Sequence, residues 1–303
     1  MLAYSKLKQA LADPLHDPQT LFEDARELSK ALVRSGSLVA SPPRDAATVM
    51  VSGFERAGEG GVAQSYMELA GLYCLGGSWR SPLLPKDDDR AIELFGLAER
   101  LGHPDASFEL AKTVYYAKRV DLAEEAWRRA EAFSDSAPER TDALVLVGYL
   151  LKAGFGVAPD LIAAARKFHA AAKRFDADAC FELAVLSSTG TGMPQDSDAA
   201  LAYMFWAAEL GSTRAQYNLG AFYGAGTDGL PRDGKMSLRW YRKAADANHG
   251  QAALTAALML LTGDGGVTVD PEQAAELLTH AARLLGRDAV KERLTAMGLR
   301  SCD

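Results

Sequence analysis

Three observations predict an all-α solenoid built from helix pairs. A small residue recurs about every 37 positions, a fixed set of apolar and tiny positions follows it, and a glycine loop followed by aspartate divides each period. The small anchors are Ser65, Ala106, Ala143, Ala179, Ala215 and Ala252, and the next step reaches Ala289. Their spacings are 41, 37, 36, 36, 37 and 37 residues, too narrow a spread for coincidence. The 303 residues include 54 Ala and 27 Gly, and much of that excess falls at these repeated positions.

Composition bounds the function before any element is assigned. A 48% hydrophobic, 24% charged chain is foldable, and a net charge of −7 argues against dedicated nucleic-acid binding, which needs a basic face. The longest apolar run, Ala252 to Leu261, contains Thr255 and is too short for a membrane span of roughly 18 residues or more. The N-terminus meets Asp13 before a secretory apolar block forms, so no signal peptide is expected. Cys74, Cys180 and Cys302 lie far apart with neither CxxC spacing nor a disulfide framework. These readings make the cytoplasm the expected location.

Ahead of the anchors, residues 19–35 and 44–57 read as two helices, with Ser41-Pro42-Pro43 between them. Phe54 and the Ala57-Gly58 pair resemble the end of a degenerate preceding unit. Residues 1–62 are therefore expected to cap the array, since end units must close the core with a polar outer face.

Residues 63–288 hold six units. Four positions after the anchor stands Leu69, Leu110, Val147, Leu183, Leu219 or Ala256; the next position is always tiny, Ala70, Ala111, Gly148, Ala184, Gly220 or Ala257. Offsets 0, 4, 5 and 8 share one side of a 3.6-residue helix, which predicts an amphipathic helix A. Glycine eleven positions after the anchor (Gly76, Gly154, Gly190, Gly226, Gly263, absent only in the second unit) ends that helix through the left-handed conformation of a C-cap. Asp88, Asp121, Asp160, Asp196, Asp233 and Asp270 fit the N-cap of helix B. Helix B carries a bulky residue such as Phe95, Trp127, Phe168, Tyr203, Trp240 or Leu277, and in the last four units an Ala pair from Ala171-Ala172 to Ala281-Ala282. A residue smaller than Leu after the core position implies a close helix approach there, with the Ala pair as the expected opposite surface. Residues 289–303 complete the array as a closing helix over 289–298 and a tail, giving one continuous domain.

The pattern A-x-Y-x-L-G-x-x-Y-x-x-G, then D, then W-Y-x-x-A-A, resembles the Sel-one-like repeat (SLR) family. Ala215 to Gly250 matches it almost position for position, Ala143 to Ala289 matches well, and Ser65 to Asp142 more loosely. The resemblance covers about three-quarters of the chain. It implies a tetratricopeptide-type, right-handed α/α superhelix with helix A on the concave side. It also implies a non-enzymatic scaffold or adaptor that binds protein partners, in a bacterial signalling or envelope-assembly setting, with no catalytic residues. An inhibitor or immunity-type protein that blocks one enzyme is the alternative.

No other motif displaces that reading. Gly224-Ala225-Gly226-Thr227-Asp228-Gly229 spells GxGxxG but follows a helix and recurs as a repeat loop. Asp264 lacks the alternating oxygen ligands of a calcium loop. His103 and His249 fall in inter-repeat turns, and no His, Cys or acid spacing supports a metal site, a cofactor site or a catalytic triad.

Offsets 2, 3, 6 and 10 point away from the helix A core side and define the candidate partner-binding residues. Offset 2 supplies Met67, Phe108, Phe181 and Tyr217; offset 3 supplies Glu68, Glu109, Glu182 and Asn218. Lys112, Tyr115, Tyr116 and Tyr149 join them, with the aromatic concentration in units two and three marking the centre. The expectation is a groove with apolar pockets and an acidic edge for a peptide carrying basic residues. Packing between neighbouring A helices is the competing account of offset 2. Trp79 is a second candidate anchor, in the insertion Ser78 to Pro85. The second unit loses its Gly loop and gains Ser134 to Thr141, which changes either the superhelix curvature or the binding surface.

Overall fold

The computed structural model describes residues 2–35, 45–76 and 84–299. Trp79, Ser41-Pro42-Pro43 and Cys302 lie outside the described residues. Three helices come first, α1 (Leu2–Ala12), α2 (Pro18–Ser35) and α3 (Ala46–Glu59). Six pairs follow: α4 (Ala63–Leu75) with α5 (Asp88–Arg100), α6 (Ala106–Tyr116) with α7 (Ala123–Ser136), and α8 (Thr141–Ala153) with α9 (Leu161–Ala172). Then come α10 (Ala177–Thr189) with α11 (Ser197–Glu209), α12 (Thr213–Ala225) with α13 (Gly234–Asp246), and α14 (Gly250–Thr262) with α15 (Pro271–Leu285). Helix α16 (Arg287–Ala296) ends the series, and no strand occurs among the described residues. The architecture is an all-helical solenoid. Helix α1 was not anticipated. Contacts group the chain into two compact units, Met1–Pro138 with Ala153–Pro159, and Glu139–Lys152 with Asp160–Asp303.

All six anchors are fully buried. Ser65 takes the place of Ala because its hydroxyl donates to the Phe54 carbonyl at 2.6 Å, which satisfies the buried oxygen. The tiny position is where helix B crosses. A Cβ on Gly148 would sit 2.6 Å from the Phe168 ring, and one on Gly220 would sit 2.8 Å from the Tyr241 ring. The opposite surface is thus an aromatic ring of helix B, and not the Ala pair as the sequence reading expects. The Ala pair does a different job: Ala244 clusters with Ala252 and Ala256, and Ala245 with Ala253. It lets the next helix A approach.

Capping follows the expected aspartates in four units. Asp160, Asp196, Asp233 and Asp270 each accept a first-turn backbone N–H of helix B. Asp87, not Asp88, caps α5 through the Arg90 N–H at 2.9 Å. Asp121 caps nothing by its side chain. Without the Gly loop the chain turns through Lys118 (φ 55) and a short 3-10 turn at Val120–Leu122, and Asp121 pairs with Arg119 instead. Gly190, Gly226 and Gly263 end their helices in the left-handed region, whereas Gly76 has φ −51. Gly76 is required for another reason, because a Cβ there would overlap the backbone at Pro85 and Lys86.

A second set of caps lies three residues before the anchors. Asp176, Ser212 and His249 accept the N–H of Ala179, Ala215 and Ala252 at 2.9, 3.4 and 3.0 Å. Loop glycines also seat each unit on its predecessor. A Cβ on Gly156 would overlap the Ala123 carbonyl at the start of α7, and one on Gly192 would overlap the Leu161 carbonyl at the start of α9.

Gly148→Ala should lower stability by about 1–2 kcal/mol, overpacking outweighing better helix propensity. Gly71→Ala, inside α4 with nothing within 4 Å of the added carbon, should instead raise it by about 0.5–1 kcal/mol. Urea denaturation of both variants checks the opposite signs.

Candidate interaction surface

In the first compact unit, only part of the candidate set reaches solvent. Met67 is half-buried on α4. Glu68 beside it receives Arg26 Nε of α2 at 3.1 Å. Phe108 is 1% exposed and stacks on Phe133 at 5.1 Å between centroids, so it is core and not a groove-surface contact. Lys112 stands 5.1 Å above that ring and pairs with Glu109 at 2.6 Å. Tyr115 meets Tyr116 and Phe155 edge-on, at 5.2 and 5.5 Å. Tyr116 is 64% exposed, an aromatic held at the surface by the ring beneath it.

In the second unit two of the polar candidates, Glu182 and Tyr149, join one network. Glu182 is buried on α10 and accepts from Lys152 Nζ at 2.6 Å and from Arg214 Nη1 at 3.0 Å. Arg214 Nη2 also donates to the Tyr149 hydroxyl and to Asp178 Oδ1, both at 3.0 Å. Its guanidinium carbon lies 4.2 Å from the Phe181 ring centroid, so Phe181, itself buried, supports the network from below. Burial, with the charge of Glu182 nearby, pushes the Tyr149 phenol well above its ordinary value and keeps it a neutral hydroxyl. Tyr217 is half-buried, stacked on His249 at 4.7 Å and edge-on to Tyr241 at 5.4 Å. Asn218 is half-buried beside it.

These positions correct two expectations. The glutamate column presents no unneutralised acidic edge, because Glu68, Glu109 and Glu182 each have a cationic partner. Offset 2 is largely core: Phe108, Val145, Phe181 and Leu254 are buried, and Leu254 packs with Val290 and Leu294 of α16. The competing account of offset 2, packing between successive A helices, is what the contacts of Leu254 display. Sequence reasoning missed Arg214 and Lys152. The signal was present, since Arg214 precedes an anchor by one residue and Lys152 lies in the last turn of α8, but pairing across helices is not a periodic feature.

The two described thiols are both held toward the protonated form. Burial pushes Cys180 up to about 11, and Cys74 is raised by the same cause, its Sγ 3.7 Å from Thr113 Oγ1.

Replacing both Lys152 and Arg214 with Met strands a buried carboxylate and should cost about 3 kcal/mol in urea denaturation. Adding Glu182→Leu to that pair should recover most of the loss, because an apolar triad of similar volume has no charge to desolvate. His249 gives a pH test. Burial lowers its pKa, so the folded state holds the neutral ring that caps α14. The unfolded state binds the extra proton first, and this contribution is full above the unfolded value near 6.5 and lost as pH falls through the lowered folded value. Between pH 7.5 and 5.5 the wild type should lose more stability than His249→Ser, whose hydroxyl caps at both pH values. Thermal melts at the two pH values read the difference.

With this geometry in place, comparison with known proteins identifies the repeat. The Sel1 repeat model matches residues 63–103, 141–174, 177–212, 213–249 and 251–284, more than half of the chain. A stretch of 98 residues is 36% identical to chitin synthase regulatory factor 4 of Schizosaccharomyces pombe, covering 32% of this chain and only 15% of that protein. Among solved structures, a Sel1 repeat protein from Oxalobacter formigenes superimposes with a TM-score of 0.54 at 20% identity, over 91% of this chain and 86% of its own. A protective antigen of uropathogenic Escherichia coli with an SLR fold gives 0.49 at 21%, over 98% and 68%. The unmatched stretch 104–140 contains the pair α6 and α7, which lacks the Gly loop. The chain belongs to the Sel1 repeat family.

Proposed function

We propose that the chain is a non-catalytic scaffold that takes a segment of a partner protein on the outward side of its A helices. Sel1 repeats generally mediate protein–protein interaction, and the fungal relative is by its name a regulatory factor. The observation that carries the finer reading is Tyr116. Large aromatics at a surface, resting on other rings, are the residues from which interface anchors are made. Tyr116 is the most exposed of the described candidates, and it rests on Tyr115, which meets Phe155 in turn.

The contact set then narrows to side chains that reach solvent. In the first compact unit these are Met67, Lys112, Tyr115 and Tyr116, which take the partner segment; Tyr149, Tyr217 and Asn218 are a separate set within the second. Phe108, Phe181 and Glu182 hold these residues in place from beneath. In the first unit Lys112 with Glu109 offers paired charges of both signs, so the partner segment there is amphipathic and not simply basic.

Affinity capture from native lysate, comparing wild type with Tyr116→Ala, tests this reading. Phe108→Ala is uninformative there, since emptying a buried aromatic site costs about 3–5 kcal/mol and endangers the fold. Tyr116→Ala should deplete the captured partners at least tenfold with the circular dichroism unchanged. An unchanged set of partners from a folded variant removes the helix A surface from the mechanism. A single captured enzyme that loses activity on binding makes the scaffold an inhibitor.

A further inference from the structure

A different surface lies on helix B of the fifth repeat. One side of α13 carries Lys235, Arg239 and Arg242 at i, i+4 and i+7, with Lys243 beside them. They border a cavity of about 490 Å³ that runs between α13 and the loop and first turn leading into α15. Its floor is apolar, made of Leu238, Leu260 and Val267, the last two buried. Asp246 and Asp270 are the acidic residues among its lining.

The charges are unequally committed. Asp270 is turned toward its own helix, where its two oxygens accept the Gln273 backbone N–H at 3.0 Å and the Gln273 side-chain amide at 2.7 Å. Arg242 donates to Gln273 Oε1 at 2.8 Å, which fixes the guanidinium at the cavity rim. Lys243 lies 4.2 Å from the Trp240 ring centroid and shares Glu209 at 3.2 and 3.3 Å. The exposed side chains of Lys235 and Arg239 make no hydrogen bond or ion pair among the described residues. Four cations against three acids, Asp246, Asp270 and the Glu209 paired with Lys243, leave a local excess of one positive charge in a chain whose net charge is −7.

A solvated charged helix face needs neither a cavity nor an apolar floor. Their conjunction with two uncommitted cations and one pre-oriented arginine specifies an occupant with carboxylates on one edge and apolar side chains on the other. The cavity falls in the range of roughly 300–1,000 Å³ typical of ligand sites, enough for a few side chains. We propose that this groove docks an acidic, leucine-containing segment of a partner protein, with carboxylates on Lys235 and Arg239 and an apolar side chain over Leu238 and Val267. The site is independent of the helix A surface.

Fluorescence anisotropy with the full chain tests it, using a short labelled peptide of glutamates interrupted by leucines. The wild type should bind and Lys235→Glu/Arg239→Glu should weaken binding tenfold or more. Since both side chains are exposed and unpaired, the melting curve should not move; Lys235→Gln/Arg239→Gln is the milder variant if it does, with a smaller loss of the same sign. A peptide with serines for leucines should bind several-fold more weakly, because the floor is then unfilled. The proposal is overturned if the wild type does not bind, if neither double variant weakens binding, or if the serine peptide binds equally well. It is also overturned if inorganic phosphate or a single-stranded oligonucleotide displaces the peptide at comparable concentration, since either result makes the groove a general anion site.

Discussion

There is no room for a methyl group on Gly148 or Gly220, and the rest of those two repeats is arranged around that fact. An aromatic ring from helix B, Phe168 or Tyr241, lies flush against the backbone of helix A at those points. That contact sets how closely the two helices of a pair approach. The approach in turn fixes where the loop leaves helix A and where the aspartate must stand to cap helix B. Glycine inside a helix costs about 1 kcal/mol relative to Ala, and burying an aromatic side chain offsets it. The same logic runs between repeats with alanine in place of glycine: Ala244 and Ala245 let α14 approach α13 through Ala252, Ala253 and Ala256.

This constraint explains how much of the fold was legible. Small residues at fixed offsets, the Asp caps and the Gly loops are local and periodic, so the helix pairs and their phase could be read from one sequence. The partner of the tiny position could not, because Phe168 lies twenty positions after Gly148 and the choice between ring and Ala pair is a packing outcome. The second unit illustrates the other limit. It keeps Ala106 and Ala111 but lacks the Gly loop, so its aspartate loses the capping geometry and a 3-10 turn takes its place.

The candidate surface was less legible for a physical reason. A helical wheel shows which side of helix A leaves its own pair, but not how much the next A helix covers. Coverage sorts offset 2 into core at Phe181 and Leu254 and half-buried rim at Met67 and Tyr217, while Phe108 is buried against Phe133 of its own helix B. It also decides the fate of the glutamates. An acid on a bare helix face stays solvated, whereas Glu182, pressed between neighbours, requires Lys152 and Arg214 to remain charged. A column of acids along a solenoid is therefore evidence of interhelix bridging as much as of an acidic binding edge.

The groove on α13 shows the converse case. Lys235, Arg239 and Arg242 look from sequence like the solvated side of an amphipathic helix, and most such stripes are no more than that. What separates this one is Leu238 within the stripe, over a floor completed by the next repeat through Leu260 and Val267. Stacking repeats creates a furrow between successive B helices wherever the residues lining it are too few or too short to fill it. A furrow lined by small residues closes; one lined by long cations over an apolar floor stays open, because burying the ammonium and guanidinium heads costs more than the floor would gain. Such a furrow is closed most economically by a chain that brings its own carboxylates.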